Sequence, residues 1–206
     1  MATTLDVVND CLASLGEAPL ATLSEPHEFK SSAQRILART SKRIQATGWW
    51  CNQEAVTYVP NSVNGQIQLP GDVLKFQSGV RSRDLLQRGV PKPWIVQRGT
   101  RLYDTRTQSY VITEDEVIGE ITRNVPFEDL PPVLNEYIAA EAVVKFQSNF
   151  DADNSKRQEL EQHWTLARAD ARAEQIRQVA VNFRNNNSTL NRIKSYTRSA
   201  RRYIGR

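Results

Sequence analysis

Residues 133–150 read VLNEYIAAEAVVKFQSNF. Leu134, Tyr137, Ile138, Ala142, Val143, Val144, Phe146 and Phe150 recur at three- and four-residue spacing, which predicts an α-helix. They spread over much of the circumference, so this helix is expected to be buried on several sides. It therefore needs other helices around it. Pro131 and Pro132 belong to its first turn or the loop before it, where a missing N–H costs nothing. Glu128 and Asp129 stand at the predicted start, where carboxylates suit the positive end of the helix dipole. Downstream, Asp151 to Ser155 interrupts the pattern and can cap a long polar helix from Lys156 to about Phe183. Its narrow apolar stripe is Leu160, Trp164, Ala167 and Ala171, continued by Ile176, Val179 and Phe183, and Asn185 to Ser188 ends it.

The other helical patterns lie at the opposite end of the chain. Residues 4–15 read as a short helix with Thr4 as a candidate N-cap and Leu5, Val8, Leu12 and Leu15 on one face. Gly16 and Pro19 supply the stop. A second helix is expected from about Pro26 to Thr47, with Ser24 as candidate cap and Phe29, Ala33, Ile36, Leu37 and Ile44 as its stripe; Gly48 ends it. The N- and C-terminal helices must pack together for either pair to bury its stripe.

From Trp49 to Asn124 the period changes. Short runs at 55–59, 66–69, 73–76, 84–86, 94–96, 101–103, 110–112 and 117–121 are broken by Gly, Pro and Asn. Seven of the nine glycines fall between Gly48 and Asn124, which predicts many tight turns. The expected fold class is α+β: an antiparallel helical bundle with an inserted small antiparallel β-sandwich or barrel and an extended basic C-terminal tail. The expected boundaries are 1–48 and 125–184 for the bundle, 49–124 for the β domain and 185–206 for the tail. Both ends of the insert should leave the same end of the bundle.

Charge is distributed unevenly. The chain of 206 residues has 27 basic and 23 acidic side chains, but residues 175–206 hold eight basic and no acidic ones. The remainder has 19 basic against 23 acidic, so a body of −4 carries a tail of +8. Such asymmetry points to an anionic partner: nucleic acid, an acidic protein surface or a membrane. In the tail, Arg184, Arg192, Lys194, Arg198, Arg201 and Arg202 are interleaved with Ile193, Tyr196, Tyr203 and Ile204. A purely electrostatic arm has no need of those apolar groups, whereas a segment that orders in a partner's groove does. A nucleic-acid-binding arm is the alternative, and a solvated terminus the plainest one.

Nothing nominates a catalytic centre. There is no Gly-rich phosphate loop, no Gly-x-Ser-x-Gly elbow and no His-Glu-x-x-His. Asp115 and Glu116 are adjacent in a strand-like run and would point to opposite faces. A glycan hydrolase would need two facing carboxylates, and none of the acids is singled out as a pair. Cys11 and Cys51 read as small buried hydrophobes, and His27 and His163 lack partners at metal-ligand spacing, so neither a cofactor nor a metal is expected. Trp49 and Trp50 read as a core anchor where the second helix hands over to the first strand, with exposed stacking groups as the alternative. Arg81, Arg83 and Arg88 read as a solvated basic surface or as contacts to an acidic neighbour or DNA phosphate. Apolar runs are far shorter than the ~20 residues that span a bilayer, so no membrane insertion is expected, and the opening MATTLDVVND has no signal-peptide pattern.

Ordered blocks resemble a known family. Val8 to Pro19 (VNDCLASLGEAP), Ala33 to Leu37, Ile44 to Trp49, Tyr103 to Ser109, Asp129 to Pro131, Tyr137-Ile138 and Phe146 are similar to the tail tubular protein A family, the adaptor or gatekeeper proteins of short-tailed podophages of the autographivirus type. The resemblance implies a helical bundle with a β domain between its helices and a structural role without catalytic residues. It implies a homo-oligomer, a dodecameric ring joining the portal protein to the tail nozzle protein, holding the tail fibre near its rim and surrounding the channel through which DNA leaves. It implies a virion protein made in the host cytoplasm. It also offers a reason for the wide apolar face of 133–150, namely burial against neighbouring subunits. The tail from Gln175 matches poorly, so its docking role, on the portal first and DNA second, rests on its own residues.

Overall fold

The computed structural model describes residues 2–79, 94–150 and 153–186, the last eight as backbone only. Among the described residues the elements are α1 (Thr4–Leu15), α2 (Lys30–Gln45), β1 (Gln53–Tyr58), β2 (Val73–Ser78), β3 (Ile95–Arg98), β4 (Arg101–Asp104), β5 (Val117–Arg123), a 3₁₀ turn (Phe127–Asp129), α3 (Pro132–Phe150) and α4 (Asn154–Asn186). The class is α+β, and the chain order of helices, strands and helices is the one the sequence pattern predicts.

The helix ends show why local chemistry sets them. Thr3, not Thr4, caps α1: its Oγ1 accepts from Asp6 N–H at 3.2 Å while Asp6 Oδ2 accepts from Thr3 N–H at 2.8 Å. Gly16 closes the helix in the left-handed region, at φ 80°. Glu128 does serve a helix N-terminus, but that of α1, accepting from Thr4 N–H at 3.2 Å. α2 begins at Lys30, later than Pro26, because Thr22 to Glu25 closes its own turn and Ser24 Oγ bonds Thr22 Oγ1 at 2.8 Å instead of capping.

α3 packs against α1, α2 and α4. Eleven of its nineteen residues are buried, so its wide apolar surface is covered within the chain and needs no neighbouring subunit. Leu134, Ile138, Ala142 and Phe146 meet Val8, Cys11 and Leu12 of α1, Ala33, Leu37 and Ile44 of α2, and Ala167 and Ala171 of α4 in one core. Fully burying each large side chain there stabilises by about 1.5–3 kcal/mol. Trp49 joins this core, with Nε1 donating to Ile44 O at 2.8 Å and its ring 6.1 Å from Tyr137, so the core-anchor reading of that tryptophan holds.

Three side-chain amides act as surrogate peptide groups. Each gives a donor and an acceptor to the backbone N–H and C=O of a single residue. Asn9 brackets Leu20, with Oδ1 accepting at 2.8 Å and Nδ2 donating at 3.0 Å. Gln45 brackets Val125 at 2.8 and 2.9 Å. Asn135 brackets Ala2 at 2.9 and 3.1 Å and also donates to Phe127 O at 2.9 Å. Gln45 and Asn135 are fully buried. Asn52 completes the set, donating to Gln45 O at 3.1 Å and Arg123 O at 2.8 Å and accepting from Trp49 N–H at 2.8 Å. Gln45, Asn52 and Val125 sit where the chain leaves the helices for the strands and where it returns, so the two crossings are tied at one place.

The strands form an antiparallel three-stranded sheet of order β1-β5-β2 and a two-stranded sheet of β3 and β4. Both sheets share a second apolar core that includes Val73, Phe76, Ile95, Leu102, Val117 and Ile121. Gly119 is required in β5, since a Cβ there would lie 2.3 Å from the Phe76 ring. The expected runs 66–69 and 110–112 are not strands. They bury Ile67, Leu69 and Ile112, but 66–69 makes only an isolated antiparallel bridge, Gln68 opposite Arg101, through Leu69 N to Thr100 O at 2.8 Å and Leu102 N to Ile67 O at 3.1 Å. Ile112 N donates to Gly65 O at 2.8 Å, and neither segment extends into a ladder. Asp115 and Glu116 lie in the bend before β5, not in a strand. The run 84–86 lies outside the described residues.

Replacing Gln45 by Leu keeps the bulk but leaves the Val125 N–H and C=O without partners. The expected loss of stability is about 2–4 kcal/mol in urea unfolding, from ~1–3 kcal/mol per unsatisfied buried group. A loss below about 0.5 kcal/mol, the level of a neutral surface change, would show that water replaces the bracket.

Candidate assembly surfaces

Of the docking residues expected from the sequence, Arg184 lies in the backbone of α4, and its side chain is not described. Arg192, Ile193, Lys194, Tyr196, Arg198, Arg201, Arg202, Tyr203 and Ile204 lie outside the described residues, as do Arg81, Arg83 and Arg88. α4 runs to Asn186, so the Asn-rich stretch taken as its end begins inside the helix.

α4 is the most exposed helix of the body and shapes two grooves. At 33 residues it extends about 50 Å, fourteen residues longer than α3. Its stripe is as expected at Ala167 and Ala171, which are buried, but Ile176 is 67 % exposed. Ile176 lines a groove of about 470 Å³ between α2 and α4, with Arg43, Trp49, Tyr137, Arg172 and Gln175. Gln175 closes it by accepting from Trp50 N–H at 2.9 Å. On the other flank of α4, facing α1, lies a groove of about 360 Å³. Its walls include Ala13, Ala139, Ala140, Val143 and Leu160, and Asp10, Glu136 and Glu159 stand among them with Lys156 and His163. His163 Nε2 is 3.3 Å from Glu136 Oε1, and Lys156 donates to Ala13 O at 2.7 Å. Loss of solvation raises the Asp10 pKa, and the charges of Asp6 and Glu136 raise it further, while His163 partly offsets them.

A feature missed in the tail-centred reading is the charge of α2. Lys30, Arg35, Arg39, Lys42 and Arg43 are five cations on a helix with no acid, countable directly in the sequence. Arg35, Arg39, Lys42 and Arg43 are exposed. Arg43 pairs with Glu141 of α3, a carboxylate only 9 % exposed, which also takes Lys145 Nζ at 3.1 Å. Among the described residues Arg35, Arg39 and Lys42 make no ion pair. Burial lowers the Lys145 pKa, and the positive charges of Arg43 and Arg39 lower it further.

Among the described residues Cys11, Cys51 and Asp104 sit in packed surroundings. Cys11 is buried and burial pushes its thiol up to about 12; Cys51 is half-buried and raised by the same cause. Asp104 ends β4, fully buried, and organises the turn through Ser109. Burial by itself raises its pKa, but the N–H groups of Arg106 and Thr107, donating to Oδ1 at 2.8 and 3.3 Å, and the Arg106 charge outweigh that and lower it. Among the described residues no group of three or more His, Cys, Asp or Glu could hold a metal ion, and no helix is long and apolar enough to cross a membrane.

Two cores are thus tied at one seam, and a long helix is left grooved on both flanks. The chain belongs to the tail tubular protein family of short-tailed phages, whose family model matches residues 5–181. It is thus a phage tail structural protein, which implies a place in the virion. A search of curated proteins finds no match. The family match stops before Arg184, so all ten docking residues lie beyond it.

Asp104 yields a pH prediction. Its folded pKa lies below the ordinary 3.8, so its contribution is present above that value and lost as pH falls through the folded one. Urea midpoints measured from pH 5 to 2 should fall less steeply below pH 4 for Asp104→Asn than for wild type, and parallel curves would contradict this.

Proposed function

We propose that this chain is the head-to-tail adaptor of a short-tailed phage virion. It assembles as a dodecameric ring between the portal protein and the tail nozzle, surrounds the channel through which DNA leaves and helps to hold the tail fibres. Residues 1–48 and 125–184 form its helical bundle, 49–124 a small β-sandwich or barrel domain and 185–206 a basic docking tail. It acts by assembly, with no catalytic step, and the host cytoplasm is where it is made.

The observation that carries this reading is the family match over 5–181, joined to the surface of α4. That helix is polar over most of its length, and Leu166 and Ile176 are about two-thirds exposed on it. A polar helix of this length gains stability when other chains cover part of it. The interleaved Tyr196, Tyr203 and Ile204 favour the portal over DNA as the tail's seat, because apolar groups gain from a groove and little from phosphates.

Negative-stain images of the purified protein with and without portal test the proposal. Rings, free or on the portal, are expected; a monodisperse monomer indifferent to portal contradicts it. A variant lacking 187–206 should lose portal attachment while keeping its helical circular dichroism. If it still joins the portal normally, the docking assignment of Arg192 to Ile204 fails.

A further inference from the structure

The two flanks of the helical body differ in their excess of charge. One flank is the α2 ridge, where Arg35, Arg39, Lys42 and Arg43 are exposed and Glu141 pairs with Arg43 alone of the four. Arg172 of α4 extends it across the groove. The other flank is the groove between α1 and α4, where Asp10, Glu136 and Glu159 outnumber Lys156 and His163, the latter paired with Glu136, and where Asp170 stands with Arg177 on the same side of α4 next to Glu136. α3 separates them: Tyr137, Glu141 and Lys145 face α2, whereas Glu136, Ala140 and Val143 face the α1/α4 groove.

We infer that these flanks are the two halves of one heterologous interface: the α2 ridge of one copy seats on the α1/α4 groove of the next. This rests on the ring reading and names the faces that meet. A head-to-tail ring contact needs two different, complementary patches on the same subunit. Here one patch is basic and short of acids, and the other holds acids over a floor of Ala139, Ala140 and Val143 that large side chains do not fill. Burial is the first cause of the lowered Lys145 pKa and of the raised Asp10 pKa, and like charge adds to each: Arg43 and Arg39 on one flank, Asp6 and Glu136 on the other, where His163 partly offsets them. A neighbour bringing the opposite sign relieves both.

Nucleic acid is the competing occupant of the ridge. It accounts for the cations but leaves the acidic groove on the opposite flank unexplained, whereas a second copy accounts for both. Assembly through this interface also weakens with salt, because the paired groups are exposed before they meet.

Charge reversal tests the pairing. The full chain is made as Arg39→Glu/Lys42→Glu and as Asp10→Lys/Glu159→Lys, all four sites being exposed. Sedimentation and negative stain measure assembly, free and on the portal. Each variant alone should assemble at least tenfold less well than wild type. An equimolar mixture should recover it, since alternating copies then meet opposite charge at every contact. If a reversed variant does not fold, Arg39→Gln/Lys42→Gln or Asp10→Asn/Glu159→Gln takes its place, with weakened assembly expected. If wild type assembles and both variants do so equally well, the flank assignment is overturned while the ring reading stands. If the α2 variant assembles normally but loses DNA or portal binding, the ridge faces that partner and the inference falls. If wild type forms no multimer in either setting, both the ring reading and this inference fail.

Discussion

The carboxamide of Gln45 is buried among helices and hydrogen-bonded to both backbone groups of Val125. The chain leaves the helices just after this residue and returns at Val125, with the five strands between. Apolar packing alone cannot hold two irregular backbone crossings, because their N–H and C=O groups need partners once water is excluded. Gln45 and Asn52 provide those partners from within the protein. The same device fixes Leu20 through Asn9 and Ala2 through Asn135. These brackets are costly to break, since losing one amide strands two backbone groups at once.

The seam sets the disposition of the other elements. With both crossings held at one end of the helices, α3 runs away from the strands and α4 returns beside it. Gln175 of α4 then meets Trp50 at the seam. α4 therefore brings its C-terminal end to the side where the strands attach, and its polar surface borders a groove on each flank. α3 fills the centre, and its burial by three other helices of the same chain leaves charge, more than greasy surface, to distinguish the flanks. An assembly built from such subunits draws specificity and register from charge and from a few exposed apolar groups such as Ile176.

Much of this was legible in the sequence because periodicity reports burial. The spread of apolar residues over 133–150 announced a helix buried on several sides, and the change of period after Gly48 announced the strands. Gly16 and the Trp49 anchor also read correctly. The sequence misled where a local bond overrode a pattern. Thr3 displaced Thr4 as cap because Asp6 stands three residues on, and the turn at Thr22 to Glu25 delayed α2. Ile67 and Ile112 alternate as strand residues do, yet the first segment makes only an isolated bridge to Arg101 and neither extends into a ladder. The bracketing amides gave no signal at all, since Gln45 or Asn135 on a helix reads as a solvated position until the partner backbone is known. The charge of α2 was visible but outweighed by the larger charge of the tail.

A rigid seam in solution is the central claim. Native-state hydrogen exchange of the Val125 amide measures this directly, because that N–H lies outside any helix or strand and donates only to Gln45 Oε1 at 2.8 Å. If the bracket holds the crossing, Val125 exchanges as slowly as the amides of Ile138 and Ala142 in the middle of α3. Exchange at the rate of an exposed loop would mean that the seam opens freely, and that helices and strands are joined by a hinge instead of a brace.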